Sequence, residues 1–135
     1  MVFSCSKRIR FAHCDPAGIV FYPRYAELLN EVVEDWFTDG LQLGFVELME
    51  RHRLGVPVVH LSCEFLAPAR LGDRLEFHLQ VKHLGNASLQ LGIEAARGET
   101  VCLRAELKLV MIALQTFQAT PIDEAWRQRF MRFQA

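Results

Sequence analysis

The sequence predicts an α+β protein with one antiparallel sheet whose apolar face packs against one main helix. One run of apolar residues early in the chain repeats with the 3.6-residue period of a helix. Five other segments alternate apolar and polar residues, the period of two that marks a half-buried strand. Short turns join the last four of these segments, as in an antiparallel meander. This order of elements, with one helical block between strands, is typical of the α+β class.

The first strand is predicted over about residues 3–11. Its pattern has one break, Lys7, and its apolar positions are Phe3, Cys5, Ile9 and Phe11. Asp15-Pro16 and Gly18 come next and mark a loop. Pro23 then stands where a helix can begin, because the first helical position needs no amide hydrogen.

The main helix is predicted from about residue 23 to residue 38. Its apolar side has the spacing i, i+3, i+4, i+7, i+8, i+11 and comprises Tyr25, Leu28, Leu29, Val32, Val33 and Trp36. The helix is expected to stop near Asp39-Gly40, where Gly40 can adopt the left-handed cap conformation. A shorter helix is predicted over roughly 43–53, with an apolar side formed by Phe45, Leu48 and Met49.

Four alternating segments build the rest of the predicted sheet. They lie at about 59–65, 75–81, 89–95 and 101–109. A last helix is predicted over about 121–133, because Pro121 followed by two acidic residues is a normal helix start. The edge strands of such a sheet leave backbone groups unpaired, and a second copy of the chain can pair with them. We therefore expect a homodimer as the minimum unit.

Composition narrows the possible partners. The chain has 135 residues, so a single domain over 1–135 is expected. Its formal net charge of −1 argues against a nucleic acid or an anionic membrane as partner. No apolar run approaches the length of a membrane span, and the N-terminus lacks the order of a signal peptide, so a cytoplasmic protein is expected. No metal site is expected, because the four cysteines are isolated: Cys5, Cys14, Cys63 and Cys102.

The densest run of informative residues lies between the first strand and the main helix. It reads Cys14-Asp15-Pro16-Ala17-Gly18-Ile19-Val20-Phe21-Tyr22-Pro23-Arg24-Tyr25. This run closely resembles the hotdog-fold acyl-CoA thioesterases, and most nearly the 4-hydroxybenzoyl-CoA thioesterase type, whose catalytic aspartate precedes the central helix. The resemblance implies a hotdog fold, in which a five-stranded antiparallel sheet wraps around a long central helix. It also implies a homodimer, often assembled into a homotetramer, with active sites at the dimer interface.

The resemblance further implies hydrolysis of the thioester between an acyl group and coenzyme A, without a cofactor, since coenzyme A belongs to the substrate. A helix N-terminus offers free amide hydrogens, and Pro23 has none, so the N–H of Tyr22 is the last donor before the helix. The family pattern places this N–H on the thioester oxygen. It makes Asp15 either a nucleophile or a general base, and both roles stay open. Gly18 would permit close approach of the backbone to the ligand.

Without the surrounding motif, Asp15 would be interpreted as a turn residue, because aspartate before proline is common in turns. His13 and Cys14 are neighbours in the chain and point to opposite sides when extended, which argues against an activated Cys/His pair. His60 and His78 fall on the polar phase of strands and are predicted to be exposed.

The acyl pocket is expected between the main helix of one subunit and the sheet of the other. Asn30, on the flank of the apolar stripe, faces either the acyl group or solvent. The segment Gly55-Val56-Pro57-Val58-Val59 matches the family segment that lines the acyl site, with Val56, Pro57 and Val58 as the expected substrate-binding residues. Phe45 is a further candidate wall residue. Some family members bind a ring hydroxyl with an acidic residue at the position of Asn30. At the position of Val56, some members have a polar residue. Basic side chains available for the coenzyme A phosphates are Arg70, Arg74, Lys82, Arg97 and Arg104.

Three alternative functions follow from the same residues. The first is a thioesterase for short aliphatic acyl-CoA or acyl carrier protein. The second is a non-catalytic acyl-CoA-binding module, against which the retained Asp15 argues. The third is a hotdog dehydratase, which would use a histidine near the helix, and no histidine lies on this helix.

Overall fold

The computed structural model describes residues 1–135 and contains three α-helices and seven strands. The helices are α1 (Pro23–Asp35), α2 (Phe45–Glu50) and α3 (Glu124–Met131). The strands are β1 (Phe3–Arg8), β2 (Leu54–Gly55), β3 (Val58–Phe65), β4 (Arg74–Leu84), β5 (Ser88–Arg97), β6 (Thr100–Val110) and β7 (Ile112–Ala113).

The predicted α+β architecture with a five-stranded antiparallel sheet is confirmed. The strand order is β1-β4-β5-β6-β3, and each neighbouring pair is antiparallel. The inner face of the sheet packs on the apolar side of α1, where Leu28, Leu29 and Val32 are fully buried. Each such leucine or valine contributes about 1.5–3 kcal/mol relative to an exposed side chain. A second sheet, β2 with β7, was not predicted, because two-residue strands carry no detectable period.

The central helix is shorter than the expected long helix. Regular α-helix covers the 13 residues of α1, and a 5-residue π-helical segment, Trp36–Gly40, continues it. The expected left-handed cap at Gly40 is wrong, since the residue with positive φ is Gln42, at 59°. Gly40 is required by packing instead, because a Cβ there would lie 2.7 Å from Cδ1 of Trp36.

The first strand ends three residues earlier than expected. After Arg8 the backbone of Ile9 turns to the segment before β4, donating to the Asp73 carbonyl at 2.7 Å. Residues Phe11–His13 then form a 3₁₀ turn, which has a period of three. As a result Phe11, predicted to be buried, is 82% exposed.

The other two helices are also shorter than predicted. The helix α2 lacks both ends of the expected 43–53 span, and α3 begins after Asp123, whose Oδ1 accepts the Trp126 N–H at 2.9 Å. Beyond α3 the chain extends, and the Ala135 N–H donates to the carbonyl of Val81 on β4 at 2.9 Å. These last residues cover the edge of β4 that β1 leaves free. No helix of the structure is long and apolar enough to cross a membrane.

The opposite edge of the sheet, strand β3, is open. Its alternating apolar residues were expected to be buried, but Leu61 is 42% and Phe65 is 54% exposed. The central helix covers the inner face of β3 only in part, through contacts such as that of Tyr25 with Phe65. The outward backbone groups of β3 lack hydrogen-bond partners.

Candidate active site

The loop between β1 and α1 is a narrow turn that fixes Asp15. Its backbone N–H donates to the Ile19 carbonyl at 3.0 Å, and its carbonyl accepts the Gly18 N–H at 3.0 Å. Its side-chain Oδ1 accepts the Ala17 N–H at 2.8 Å. The turn therefore uses one carboxylate oxygen to set the orientation of the side chain. The second oxygen, Oδ2, has no hydrogen-bond partner within the chain.

Gly18 completes this turn through its backbone conformation. Its φ is +79°, in the left-handed region that glycine adopts without strain. Its carbonyl accepts the Leu71 N–H at 3.0 Å, which joins the loop to the segment before β4. Nothing within the chain lies within 4 Å of a Cβ built at Gly18. The turn alone accounts for this glycine, and close approach of a ligand to it stays a prediction.

The start of α1 leaves one backbone donor free beside the loop. The amides of Arg24 and Tyr25 donate back to the carbonyls of Phe21 and Tyr22, at 2.8 and 3.1 Å. Pro23 has no N–H, and the Tyr22 N–H donates to no group in the chain. A free amide at a helix N-terminus carries the partial positive charge that stabilises an oxyanion. The positions of Asp15, Gly18 and Tyr22 define what we call the loop site.

Aromatic side chains line a recess next to the loop site. The rings of Tyr22 and Tyr25 lie 6.4 and 5.8 Å from the ring of Phe65, at the end of β3. The recess has a volume of about 300 Å³ and is bounded mainly by apolar side chains. Burial raises the pKa of Tyr25 to about 12, so its hydroxyl is neutral and no base for the reaction.

His13 and Cys14 form no catalytic pair. The His13 Nδ1 accepts the Arg10 N–H at 2.9 Å, while the Cys14 Sγ lies 3.5 Å from the Arg10 carbonyl. Burial, and secondarily the Asp15 carboxylate, raise the pKa of the Cys14 thiol. A protonated thiol is a poor nucleophile. The predicted exposure of His60 and His78 is confirmed, and His78 Nδ1 lies 2.9 Å from the Ser4 Oγ.

A second cavity, which we call the apolar cleft, lies at the other end of β3. Its volume is about 310 Å³, at the small end of ligand pockets. The cleft brings together six residues expected at the pocket from the sequence: Asn30, Phe45, Gly55, Val56, Pro57 and Val58. Val59, from the same expected segment, is exposed and not among the cleft residues. Asn30 is exposed at the rim of the cleft and makes no side-chain hydrogen bond within the chain. Its contact with an acyl group stays a prediction.

Several residues of the apolar cleft were not predicted from the sequence. They come from α1, α2, the end of β6 and the segment around β7: Val33, Leu48, Met49, Leu109, Ile112 and Leu114. The only available signal was the apolar run that continues past the last predicted strand. The cleft forms because β7 pairs with β2, with Gly55 opposite Ile112.

Within one chain the loop site and the apolar cleft are not brought together. The loop site adjoins Phe65, and the apolar cleft contains Val58. These residues are the two ends of β3, and seven residues of strand span about 23 Å. A single acyl group cannot reach across that distance.

Two of the five basic side chains expected at the coenzyme A phosphates are engaged inside the chain. Their partners are Pro68 and Asp73 for Arg97, and Glu94 for Arg104. The side-chain carbons of Lys82 lie over Gly92, and its ammonium group forms no ion pair. The remaining two, Arg70 and Arg74, form no ion pair with a carboxylate either.

A family model described as the thioesterase-like superfamily matches residues 9–130. The chain belongs to this superfamily. It is therefore an enzyme of the thioester hydrolase class, with the loop site and the fold described above.

Individual relatives of this thioesterase act on aromatic acyl groups. A 1,4-dihydroxy-2-naphthoyl-CoA hydrolase of Synechocystis is 27% identical over 127 residues, which cover 93% of this chain and 91% of the relative. A 4-hydroxybenzoyl-CoA thioesterase of Pseudomonas is 34% identical over 77 residues, or 56% of this chain and 55% of the relative. The structure of a gentisyl-coenzyme A thioesterase superposes with a TM-score of 0.84 at 26% identity, covering 93% of this chain and 99% of that one.

Proposed function

We propose that this thioesterase, a single domain over residues 1–135, hydrolyses an aryl-CoA ester to the free acid and coenzyme A. The observation that carries the proposal is the free Tyr22 N–H at the start of the helix that follows the Asp15 turn, together with the unpaired Oδ2 of the Asp15 carboxylate. The three relatives described above act on hydroxylated aromatic acyl groups, which favours a 4-hydroxybenzoyl- or benzoyl-like group here. No cofactor takes part in the reaction as proposed.

The chemistry divides between two groups of the loop site. The Tyr22 N–H binds the carbonyl oxygen and stabilises the negative charge that develops there, an effect worth about 2.7–4 kcal/mol per donor. The Asp15 carboxylate then acts in one of two ways. As a nucleophile it bonds to the carbonyl carbon and expels the coenzyme A thiolate, leaving an anhydride that water cleaves. As a general base it takes a proton from the attacking water.

The active site needs a second copy of the chain. Two β3 strands that pair antiparallel across a two-fold axis place the Phe65 end of one copy beside the Val58 end of the other. The loop site of one subunit then meets the apolar cleft of its partner. This pairing also covers the exposed apolar side chains of β3 and satisfies its backbone. We infer a homodimer with two shared sites, and two such dimers can form a homotetramer.

Substrate-binding roles follow from the same arrangement. The Val56-Pro57-Val58 segment forms a wall for the aromatic ring, and Asn30 is the one polar side chain of the cleft that can bind a ring hydroxyl. Gly18 lies beside the thioester. The partial match to a 4-hydroxybenzoyl-CoA thioesterase supports a phenolic substrate, and the amide of Asn30 suits a hydroxyl that either donates or accepts.

A short aliphatic acyl-CoA, or the same group on acyl carrier protein, is the second candidate substrate. The specific observation in its favour is that 9 of the 12 cleft residues are hydrophobic. A cleft of about 310 Å³ admits a short chain as readily as a ring.

The proposal is tested by thiol release over a matched panel of esters. The panel contains 4-hydroxybenzoyl-CoA, benzoyl-CoA, 1,4-dihydroxy-2-naphthoyl-CoA, butyryl-CoA and butyryl-acyl carrier protein. We expect the highest kcat/KM on an aromatic ester and its loss in Asp15→Asn. Preference for butyryl esters would replace the aryl assignment with the aliphatic one. Saturable binding of every ester with no turnover would leave a binding module.

A further inference from the structure

The outer face of the sheet carries one cross-strand pair of like charge. Arg8 on β1 lies directly opposite Arg74 on β4. Residues opposite each other in an antiparallel pair point to the same face, so the two guanidinium groups share one patch of surface. All other paired positions in the sheet are neutral or of opposite sign, as with Glu64 opposite Arg104. Like charges in this position destabilise a sheet.

No carboxylate compensates this pair within the chain. Arg74 Nη1 donates only to the Ser6 Oγ, at 3.3 Å, and Arg8 makes no side-chain hydrogen bond. Glu76 stands opposite Ser6 on the same face and forms no ion pair with either arginine. Both arginines are exposed. The sheet thus presents two unpaired positive groups side by side.

The pair lies at the same end of the sheet as the loop site. Ile9, which follows Arg8, is hydrogen-bonded to the segment just before Arg74. In that segment Arg70 pairs through its backbone with Ile19, next to Gly18 of the catalytic turn. The Arg70 side chain is exposed and has no carboxylate partner. Arg70 therefore stands between the loop site and the Arg8–Arg74 pair, and we call these three residues the arginine cluster.

We propose that the arginine cluster binds the phosphates at the nucleotide end of coenzyme A. The inference rests on the proposed function, because it assigns one end of the same substrate. Coenzyme A has an uncharged arm next to the thioester and phosphates only at its far end, which matches a charged site set apart from an apolar cleft. Guanidinium groups bind phosphate oxygens through paired hydrogen bonds. A phosphate between Arg8 and Arg74 also removes the repulsion that the free protein retains.

The first test measures binding of adenosine 3′,5′-bisphosphate alone, by titration calorimetry. We expect Arg8→Gln and Arg74→Gln each to weaken binding about tenfold, the factor for one lost charge-assisted hydrogen bond. The matched control is Arg132→Gln, which removes the same charge after α3, at the other end of the sheet. Without nucleotide, both cluster variants should melt at or above the wild-type Tm, because the repulsion is gone. Equal binding by the cluster variants and wild type, or an equal loss in the control, overturns the proposal.

The second test separates this site from the chemistry. In the cluster variants the KM for an aryl-CoA ester should rise by the same factor while kcat stays unchanged. The corresponding N-acetylcysteamine thioester, which lacks the nucleotide, should be hydrolysed equally by variants and wild type. Suppose that the wild-type protein hydrolyses no ester, yet the cluster variants bind the nucleotide more weakly than wild type does. That result would refute the proposed function and retain the phosphate-binding role of the arginine cluster. A fall in kcat with an unchanged KM in the cluster variants would instead refute the phosphate-binding role of the arginine cluster.

Discussion

The two ends of β3 are built for different tasks. At the Phe65 end a short hydrogen-bonded turn orients one carboxylate through the Ala17 N–H, and the Tyr22 N–H is a free donor. At the Val58 end, short elements enclose an apolar cleft whose polar side chain is Asn30. The first end offers a carboxylate and a free backbone donor beside an open apolar recess, and the second offers an apolar cleft without a charged side chain. Within one chain these two features lie about 23 Å apart, so the proposed shared site joins them only across two subunits.

The two sides of the sheet differ in how their last strands are covered. On one side of the sheet β1 is the last strand, and β1 and the C-terminal residues together pair with the outer side of β4. On the other side β3 is the last strand, no strand of the chain pairs with its outer side, and its exposed apolar side chains include Leu61 and Phe65. An uncovered apolar edge strand favours aggregation in a monomer, and in a dimer it can form the subunit interface. The predictions below test whether that interface joins the two ends.

Removing the charge at the loop site should have the largest effect. Asp15→Asn keeps an oxygen that can accept the Ala17 N–H, so the turn and the Tm should be retained. It removes the nucleophile or base, and kcat should fall by about 10²–10⁴-fold. The rate is measured by thiol release from the best aryl-CoA ester. Asp39→Asn, at an exposed aspartate after α1, is the matched control and should be fully active. An Asp15→Asn enzyme with more than about a tenth of wild-type kcat would remove Asp15 from the chemistry.

Mixing two inactive variants should restore activity if the ends meet across subunits. Asp15→Asn destroys the loop site, and Val56→Trp fills the apolar cleft. A heterodimer of the two contains one site built from an intact loop and an intact cleft. This heterodimer should have about half of the wild-type activity per dimer, because one of its two shared sites is intact. The mixture is prepared by co-expression with two affinity tags, and the doubly tagged fraction is assayed.

The control for this experiment is the double variant, Asp15→Asn with Val56→Trp, co-expressed with wild type. Its heterodimers carry both lesions on one chain, which damages both shared sites. If each site were formed by a single chain, the first mixture would stay inactive and this second one would keep half its activity. That outcome would refute the shared site.

The sequence predicted those features that have a clear local period or a specific motif. The α1 stripe and the strands β4, β5 and β6 follow from side-chain alternation and burial. The loop site follows from a family pattern and not from spacing, since the aspartate alone reads as a turn residue. The structure supports both readings of Asp15, because Oδ1 serves the turn and Oδ2 is left unpaired.

Features set by contacts between distant segments could not be predicted. Phe11 looked like a strand residue, but the backbone of Ile9 bonds to a segment more than sixty positions later. Gly40 looked like a cap, while its small size is needed beneath Trp36. The β2–β7 pair has no period to detect, so the sequence did not predict the pairing that forms the apolar cleft, and half of the cleft residues were not predicted. The pairing of Arg8 with Arg74 depends on register, which one sequence does not reveal.

Replacing Asn30 should change specificity more than rate. Asn30→Leu removes the polar group of the cleft and keeps its volume, so kcat/KM for hydroxylated aryl esters should fall about three- to tenfold. The kcat/KM for benzoyl-CoA should change little, because its ring has no hydroxyl group that Asn30 could bind. Glu34→Leu, one turn later on α1 and not among the cleft residues, is the control for added apolar surface. An equal loss on both esters would mean that Asn30 does not contact the ring substituent.

Replacing Cys14 should have the smallest effect, although it is the neighbour of Asp15. Its folded-state pKa lies above the ordinary value of 9.0, chiefly through burial, so the thiol is neutral at neutral pH. The stability that this raised pKa contributes is fully present below 9.0 and is lost as the pH rises through the raised value. Cys14→Ala should therefore leave kcat within about twofold at neutral pH and alter only the alkaline limb of the unfolding curve. Thiol release and thermal melts across this range measure both effects. A tenfold loss of kcat at neutral pH would instead place the thiol in the reaction, and the loop site would then contain two chemical groups where the turn geometry supports one.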